Sequence, residues 1–183
     1  MKKAFALLLG LMVTLVSCTD DDSGDGGGQI DTSLIVGTWN LEDTDIDGTT
    51  SSTIQNQPVQ FTANTQLMSS SFTLAFTAAG DYNAQGQSSY SVTTALFPEQ
   101  TIDSDITSAS GTYVINETEI VFSGDSFIGV FGDQVPDLDG LELSINTLTD
   151  TQLILDVQGT VQQQLFGTEA DVDVDGFIEF SKN

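Results

Sequence analysis

The sequence predicts an all-β fold, an antiparallel barrel or else a β-sandwich, and three observations point there. Apolar residues recur at every second position in segment after segment, as where Leu141, Leu143 and Ile145 alternate with Glu142, Ser144 and Asn146. The segments are short and follow one another at roughly 8–12-residue spacing, with turn residues between them. Beyond the first 29 residues the chain is rich in Thr, Ser, Gly, Val, Ile and Phe and poor in runs of helix formers.

The elements follow in order. Ile35, Gly37, Trp39 and Leu41 share one face of a first strand, and Val36, Thr38, Asn40 and Glu42 share the other. Gly37 leaves room beside the only tryptophan. Residues 49–70 are polar and irregular. They read as a long loop, or as a weak helix over 61–68, lying across one end of the fold. Phe72, Leu74 and Phe76 resume the two-residue period, a turn follows at Ala79-Gly80-Asp81, and Tyr82 opens the next strand. Tyr90, Val92, Thr94 and Leu96 continue it, and residues 98–110 read as loop. Residues 112–115 and 119–123 form a hairpin across Asn116, Glu117 and Thr118. An apolar run at 127–131 lies between Gly-Asp pairs. After Leu141, Leu143 and Ile145 comes a turn at Thr149-Asp150-Thr151, then Leu153, Leu155 and Val157. Stretches 161–166 and 172–180 close the chain. No break in composition divides residues 30–183, which form one domain.

The first 29 residues follow a different logic. Lys2 and Lys3 precede an apolar run from Ala4 to Val16, shorter than the ~20 residues of a spanning helix. The run ends in Leu15-Val16-Ser17-Cys18, which resembles the lipobox of bacterial lipoproteins. That resemblance implies removal of residues 1–17 as a signal peptide, a diacylglyceryl group on the Cys18 thiol and acylation of the new amine. Cys18 is the only cysteine, so no intrachain disulfide forms, and several acyl chains anchor durably where one is marginal. Residues 18–29, with Asp20, Asp21, Asp22 and Asp25 before Gly26-Gly27-Gly28, read as a solvated tether. Acids directly after the lipidated cysteine resemble the surface-export signal of Bacteroidota lipoproteins. The expected location is therefore the outer membrane, lipid-anchored and facing the cell surface, with the periplasmic face as the alternative.

Charge excludes several functions. The chain has 3 Lys+Arg, 27 Asp+Glu and no His. The bases are Lys2, Lys3 and Lys182, so no arginine is present. Beyond residue 17 only Lys182 remains against 27 acids, a side-chain charge of 1 − 27 = −26. Nucleic acid is excluded as a partner, because phosphate contacts need Lys or Arg. An arginine clamp on an anionic substrate is excluded too. With no histidine base and no free thiol nucleophile, and with no segment that nominates a carboxylate pair, the chain is not expected to be an enzyme.

Gly37-Thr38-Trp39 on the first strand resembles the lipocalin-like lipoproteins of Bacteroidota, as do the phrases around Phe76-Thr77-Ala78-Ala79-Gly80-Asp81-Tyr82, Gly111-Thr112-Tyr113 and Leu148-Thr149-Asp150. The resemblance spans most of residues 30–183. It implies an up-and-down barrel, lipocalin-like, often with a ligand-sized interior. Two departures stand beside it. The arginine that packs on the tryptophan late in the wider family is absent, and the family's threonine-aspartate motif is not recognisable.

On this phase Trp39, Phe72, Phe76, Tyr90, Leu96, Tyr113, Phe122 and Leu155 point inward, where they either fill the core or line an apolar pocket. Trp39, Phe72, Phe76, Tyr90, Tyr113 and Phe122 are the candidate contacts for a small apolar or amphipathic ligand. Two acid motifs, at Asp43-Thr44-Asp45-Ile46-Asp47-Gly48 and Asp171-Val172-Asp173-Val174-Asp175-Gly176, begin like calcium loops but carry Ile54 and Lys182 at the twelfth position. The second fits a strand, with its acids outward and about 7 Å apart. In the first, unbroken alternation from Trp39 would turn Asp43, Asp45 and Asp47 inward. The chain is therefore expected to leave the strand near Glu42, or to place these acids at an open mouth, where calcium is the one cofactor they could hold. Asp137 and Asp139 beside Gly140 repeat the pattern weakly. The leading expectation is a surface lipoprotein that binds a small ligand. The alternatives are a structural or adhesion-type acidic envelope domain without a pocket, and a calcium-dependent carbohydrate-binding domain.

Overall fold

The computed structural model describes residues 30–54, 57–95, 98–125, 140–165 and 168–183. Cys18 and the tether lie outside the described residues, as do Leu96, the run at 127–131, Asp137 and Asp139. Among the described residues the chain is all-β, with one short 3-10 helix at Thr32–Ile35 and nine strands. These are β1 Gly37–Ile54, β2 Gln57–Ser70, β3 Thr73–Phe76, β4 Asp81–Thr94, β5 Gln100–Asn116, β6 Glu119–Gly124, β7 Leu141–Leu148, β8 Gln152–Leu165 and β9 Thr168–Lys182.

All nine belong to one antiparallel sheet, and the pairing of β1 with β9 makes its hydrogen bonds a ring. β2 and β3 share one place in that ring. Both pair with β1 on one side and β4 on the other. Between them the ladder is carried by Leu41 N–H donating to Phe72 O at 3.1 Å and Ser71 N–H donating to Gln87 O at 2.8 Å. The seam between β6 and β7 is the thinnest. Its register pair is Glu119 with Ser144, supported by Ile145 N–H donating to Thr118 O at 2.7 Å.

Alternation explains which face each strand buries. Leu153, Leu155, Val157 and Val161 on β8, and Val172, Val174, Ile178 and Phe180 on β9, enter one continuous core with Trp39, Leu74 and Phe76. Burying that much apolar surface, at about 25 cal/mol per Å², is the main favourable term. Asp171, Asp173 and Asp175 stand exposed on the other face, as the strand period requires.

Two expectations are corrected. Residues 57–70 form a strand, not a loop or a weak helix, and residues 100–110 belong to β5. Both stretches place small or polar residues at core-facing positions. Thr65 is buried and Ala63 half-buried in β2, and Ile102, Ser104 and Ile106 are half-buried in β5. The hydrophobic period is therefore faint, and pairing with β1 and β4 decides their state.

The third correction concerns the acids after Leu41. The strand does not end at Glu42, and Asp43, Asp45 and Asp47 line no mouth. Leu41 pairs with Phe180 and Asp43 with Glu179, so Glu42 is an extra residue, a β-bulge that reverses the phase. Trp39 and Leu41 are buried before it, and Thr44, Ile46 and Thr50 after it. The three aspartates turn outward. Burial of three carboxylates without cations costs far more than one local break in the ladder.

Close approach fixes Gly111, opposite Gly124 at the end of the β5–β6 ladder. A Cβ on Gly111 would sit 2.1 Å from Ser123 O and 2.8 Å from the Tyr82 ring. Gly111→Ala is therefore expected to cost about 2 kcal/mol by overpacking, read as a lower midpoint in urea unfolding. An unchanged midpoint would mean that the two strands separate freely there.

Candidate functional site

The interior has two chemically different halves. The first is built around Trp39, which is 0% exposed. Its Nε1–H donates to Ile35 O at 2.7 Å, tying β1 to the 3-10 helix. Asp31 caps that helix, and hydrogen bonds from the Ser33 side chain and then its backbone hold the carboxyl below the usual range. Lys182, the last residue of β9, crosses back over Trp39, with Nζ 4.9 Å from the ring centroid. The same Nζ donates to Leu34 O at 2.8 Å. The space beside Gly37, which has φ +141°, is filled by this lysine: a Cβ there would lie 2.6 Å from Lys182 Cε. Sequence reasoning did not nominate Lys182. The signal was present, because it is the sole base beyond residue 17 and continues the inward phase of Ile178 and Phe180.

An aromatic group packs in the same half. Phe76 from β3 meets the Tyr113 ring of β5 edge-on at 4.8 Å and the Phe122 ring of β6 at 6.0 Å. Tyr82 of β4 meets Phe122 edge-on at 5.2 Å. Edge-on pairs of this kind contribute about 0.5–1.5 kcal/mol beyond area burial. Tyr113 Oη donates to Thr77 O at 2.9 Å. Burial, and then the nearby Asp81 charge, push the Tyr113 phenol up. Of the six residues nominated for a ligand, Phe76, Tyr113 and Phe122 are thus brought together, and Trp39 is sealed under Lys182. Phe72 and Tyr90 are buried elsewhere in the core.

The second half lies beyond the bulge, where hydroxyls and small residues share the interior with Ile46, Val161, Val172 and Val174. Thr44, Thr50, Thr65 and Ser88 are the buried polar residues of the described chain. Along one row of register partners stand Thr94, Ala63, Gly48, Val174 and Gly159, four of them small or hydroxylic. Thr50 Oγ1 donates to Asp171 O at 2.7 Å, and Ser88 and Ser70 share a hydroxyl contact at 3.0 Å. Burial pushes the Tyr90 phenol up, and a hydrogen bond with Ser88 opposes the shift. Thr44 differs from these. It is 0% exposed, and its Oγ1 has no hydrogen-bond partner in the protein. A buried hydroxyl left unsatisfied costs about 1–3 kcal/mol.

The outer face is acidic, and its carboxylates pair with amides and hydroxyls. Asp47 stands directly opposite Asp175, and Asp43 opposite Glu179. Such like-charge pairs destabilise a sheet unless they are relieved. Asn64 Nδ2 donates to Asp45 at 2.6 Å and to Asp47 at 3.0 Å. Gln158 donates to Asp175 at 2.9 Å, Gln152 to Glu179 at 2.7 Å, and Thr160 to Asp173 at 2.8 Å. Asp43 accepts from the N–H of Thr44. Along a strand these carboxylates alternate on one face and do not converge. No group of three acids among the described residues is placed to hold a metal ion.

This arrangement predicts a salt response. Raising NaCl toward 1 M, where the screening length falls to about 3 Å, should raise the melting temperature. Calcium chloride at matched ionic strength should give the same rise. A larger rise with calcium, removed by Asp45→Asn, would instead reveal a specific ion site. No family model matches this chain, and no curated protein matches it.

Proposed function

We propose that the chain is a lipid-anchored protein of the outer membrane, displayed on the cell surface. In this reading its ring of strands is a lipocalin-like, up-and-down barrel that binds a small apolar or amphipathic molecule and performs no catalysis. The observation that carries the reading is the second half of the interior, with its small-residue row and the buried, unpartnered Thr44 hydroxyl. A fold that needed only stability would place an apolar side chain there. Support for the lipocalin likeness comes from Lys182, which packs on Trp39 where that family uses an arginine. Support for the barrel comes from the stagger around the ring. Register partners run from Ile46 through Gly176 and Val157 to Leu143. The pairing of Ser144 with Glu119 carries the path on to β6, where Ile120 pairs with Ile115, a residue beyond the reach of the β4 ladder. Steep stagger of that kind accompanies closure with tilted strands. The anchor in this reading is the lipid on Cys18, since a domain with 23 acids and one base, a side-chain charge of 1 − 23 = −22, has no basic patch to hold anionic headgroups.

Native mass spectrometry of the protein taken from its own host, with the acyl anchor removed, tests the proposal. The expected spectrum shows a discrete small-molecule adduct that organic solvent releases. A spectrum of bare protein, with neither adduct nor uptake of added amphiphiles, would favour an acidic structural domain of the envelope.

A further inference from the structure

We propose that residues 30–35 are a plug that opens as a unit while the strands stay paired, and that the Lys182 side chain is its latch. Opening bares Trp39 at the end of the ring where the N-terminal segment enters.

The plug stands outside the ladders that hold the strands. It is the 3-10 helix Thr32–Ile35 with Ile30 and Asp31 before it. Its internal bonds are local. Leu34 N–H donates to Asp31 O at 3.1 Å, and the N–H and hydroxyl of Ser33 donate to the Asp31 carboxylate. Among the described residues, the hydrogen bonds that join the plug to the strands come from two side chains. Trp39 Nε1–H donates to Ile35 O, and Lys182 Nζ donates to Leu34 O. Ile35 is buried and Ile30 packs against the core, while Asp31, Thr32 and Ser33 are exposed. A segment with so few buried contacts opens locally, well below the free energy of global unfolding.

Lys182 holds the plug from a fixed base. Its backbone N–H donates to Thr151 O at 2.9 Å, and that of Asn183 donates to Thr38 O at 3.0 Å. The side-chain amides of Asn183 and Asn40 bond each other in both directions, at 2.9 and 3.2 Å. The backbone of the latch is thus fastened to β1 and to the turn before β8, and none of these bonds uses the plug. The ammonium alone reaches across, over the Trp39 ring and onto Leu34 O. Removing it takes away a charge-assisted hydrogen bond and a cation–π contact and leaves the ladder whole. An open plug adds about 20 Å of extended chain to the tether, so the domain can stand that much farther from a lipid on Cys18. That consequence rests on the anchored reading above, and the opening itself does not.

Amide hydrogen exchange of the processed chain, residues 18–183 with Cys18→Ser, tests this, together with acrylamide quenching of Trp39, the sole tryptophan. In the wild type the Leu34 amide is expected to be protected at least about a hundredfold less than the amides of β8. Lys182→Met keeps the side-chain length and removes the ammonium. It should speed Leu34 exchange about tenfold, the effect of one hydrogen bond from a charged group, and raise the quenching of Trp39, with β8 exchange unchanged. Leu34 and β8 protected alike in the wild type would overturn the plug, whether or not the variant folds. Leu34 exchange unchanged in Lys182→Met, or speeded by the same factor as β8, would overturn the latch. Protein from its own host with no lipid on Cys18 would remove the anchored reading and leave the plug standing.

Discussion

A chain with one base against 27 acids beyond residue 17 cannot turn a carboxylate inward without a heavy cost, and the structure is arranged around that constraint. Its clearest expression is the bulge at Glu42. Before it, Trp39 and Leu41 fill the core. After it, unbroken alternation would bury three aspartates, and one extra residue sends them out and brings Thr44, Ile46 and Thr50 in. The same constraint governs the outer face. Where other proteins would set lysine or arginine opposite an acid, this one sets Asn64, Gln152, Gln158 and Thr160. An amide supplies the donor without the charge, so each carboxylate is solvated locally while the net repulsion stays for water and salt to screen.

The single base beyond residue 17 ties three elements together. Lys182 joins the last strand to the first through the Trp39 ring and to the N-terminal 3-10 helix through Leu34 O. It thereby fixes the Trp39 end of the ring. The aromatic group of Phe76, Tyr82, Tyr113 and Phe122 packs the same half. In the opposite half Thr44, Thr50 and Thr65 enter the interior beside Val161, Val172 and Val174.

Much of this was legible in the sequence wherever large apolar residues alternate. Phe72, Leu74 and Phe76, then Leu153, Leu155 and Val157, then Val172, Val174, Ile178 and Phe180 all face the core as their spacing implies. The turns at Gly80, at Glu117-Thr118 and at Asp150 also fall where turn residues cluster. β2 and the first half of β5 were not legible, because Ala63, Thr65 and Ser104 face inward and give almost no hydrophobic period. The bulge was hidden for another reason. Asp43, Asp45 and Asp47 signal that the alternation must break near Glu42, but the form of the break exists only as a mismatch between β1 and β9, which lie more than a hundred residues apart in sequence. The candidate site was only partly legible. The aromatic candidates were visible as core residues, whereas the unpartnered Thr44 hydroxyl follows from a phase that the bulge decides.

The bulge can be tested without changing composition or net charge. Exchanging two neighbours, Asp43→Thr with Thr44→Asp, leaves every count in the chain the same and alters only which residue faces inward. With Glu42 as the extra residue, the exchange buries an unpaired carboxylate. The urea-unfolding free energy should then fall by about 3–5 kcal/mol. If the strand instead kept an unbroken alternation from Trp39, the exchange would take an acid out of the interior, and the protein would unfold at higher urea than the wild type.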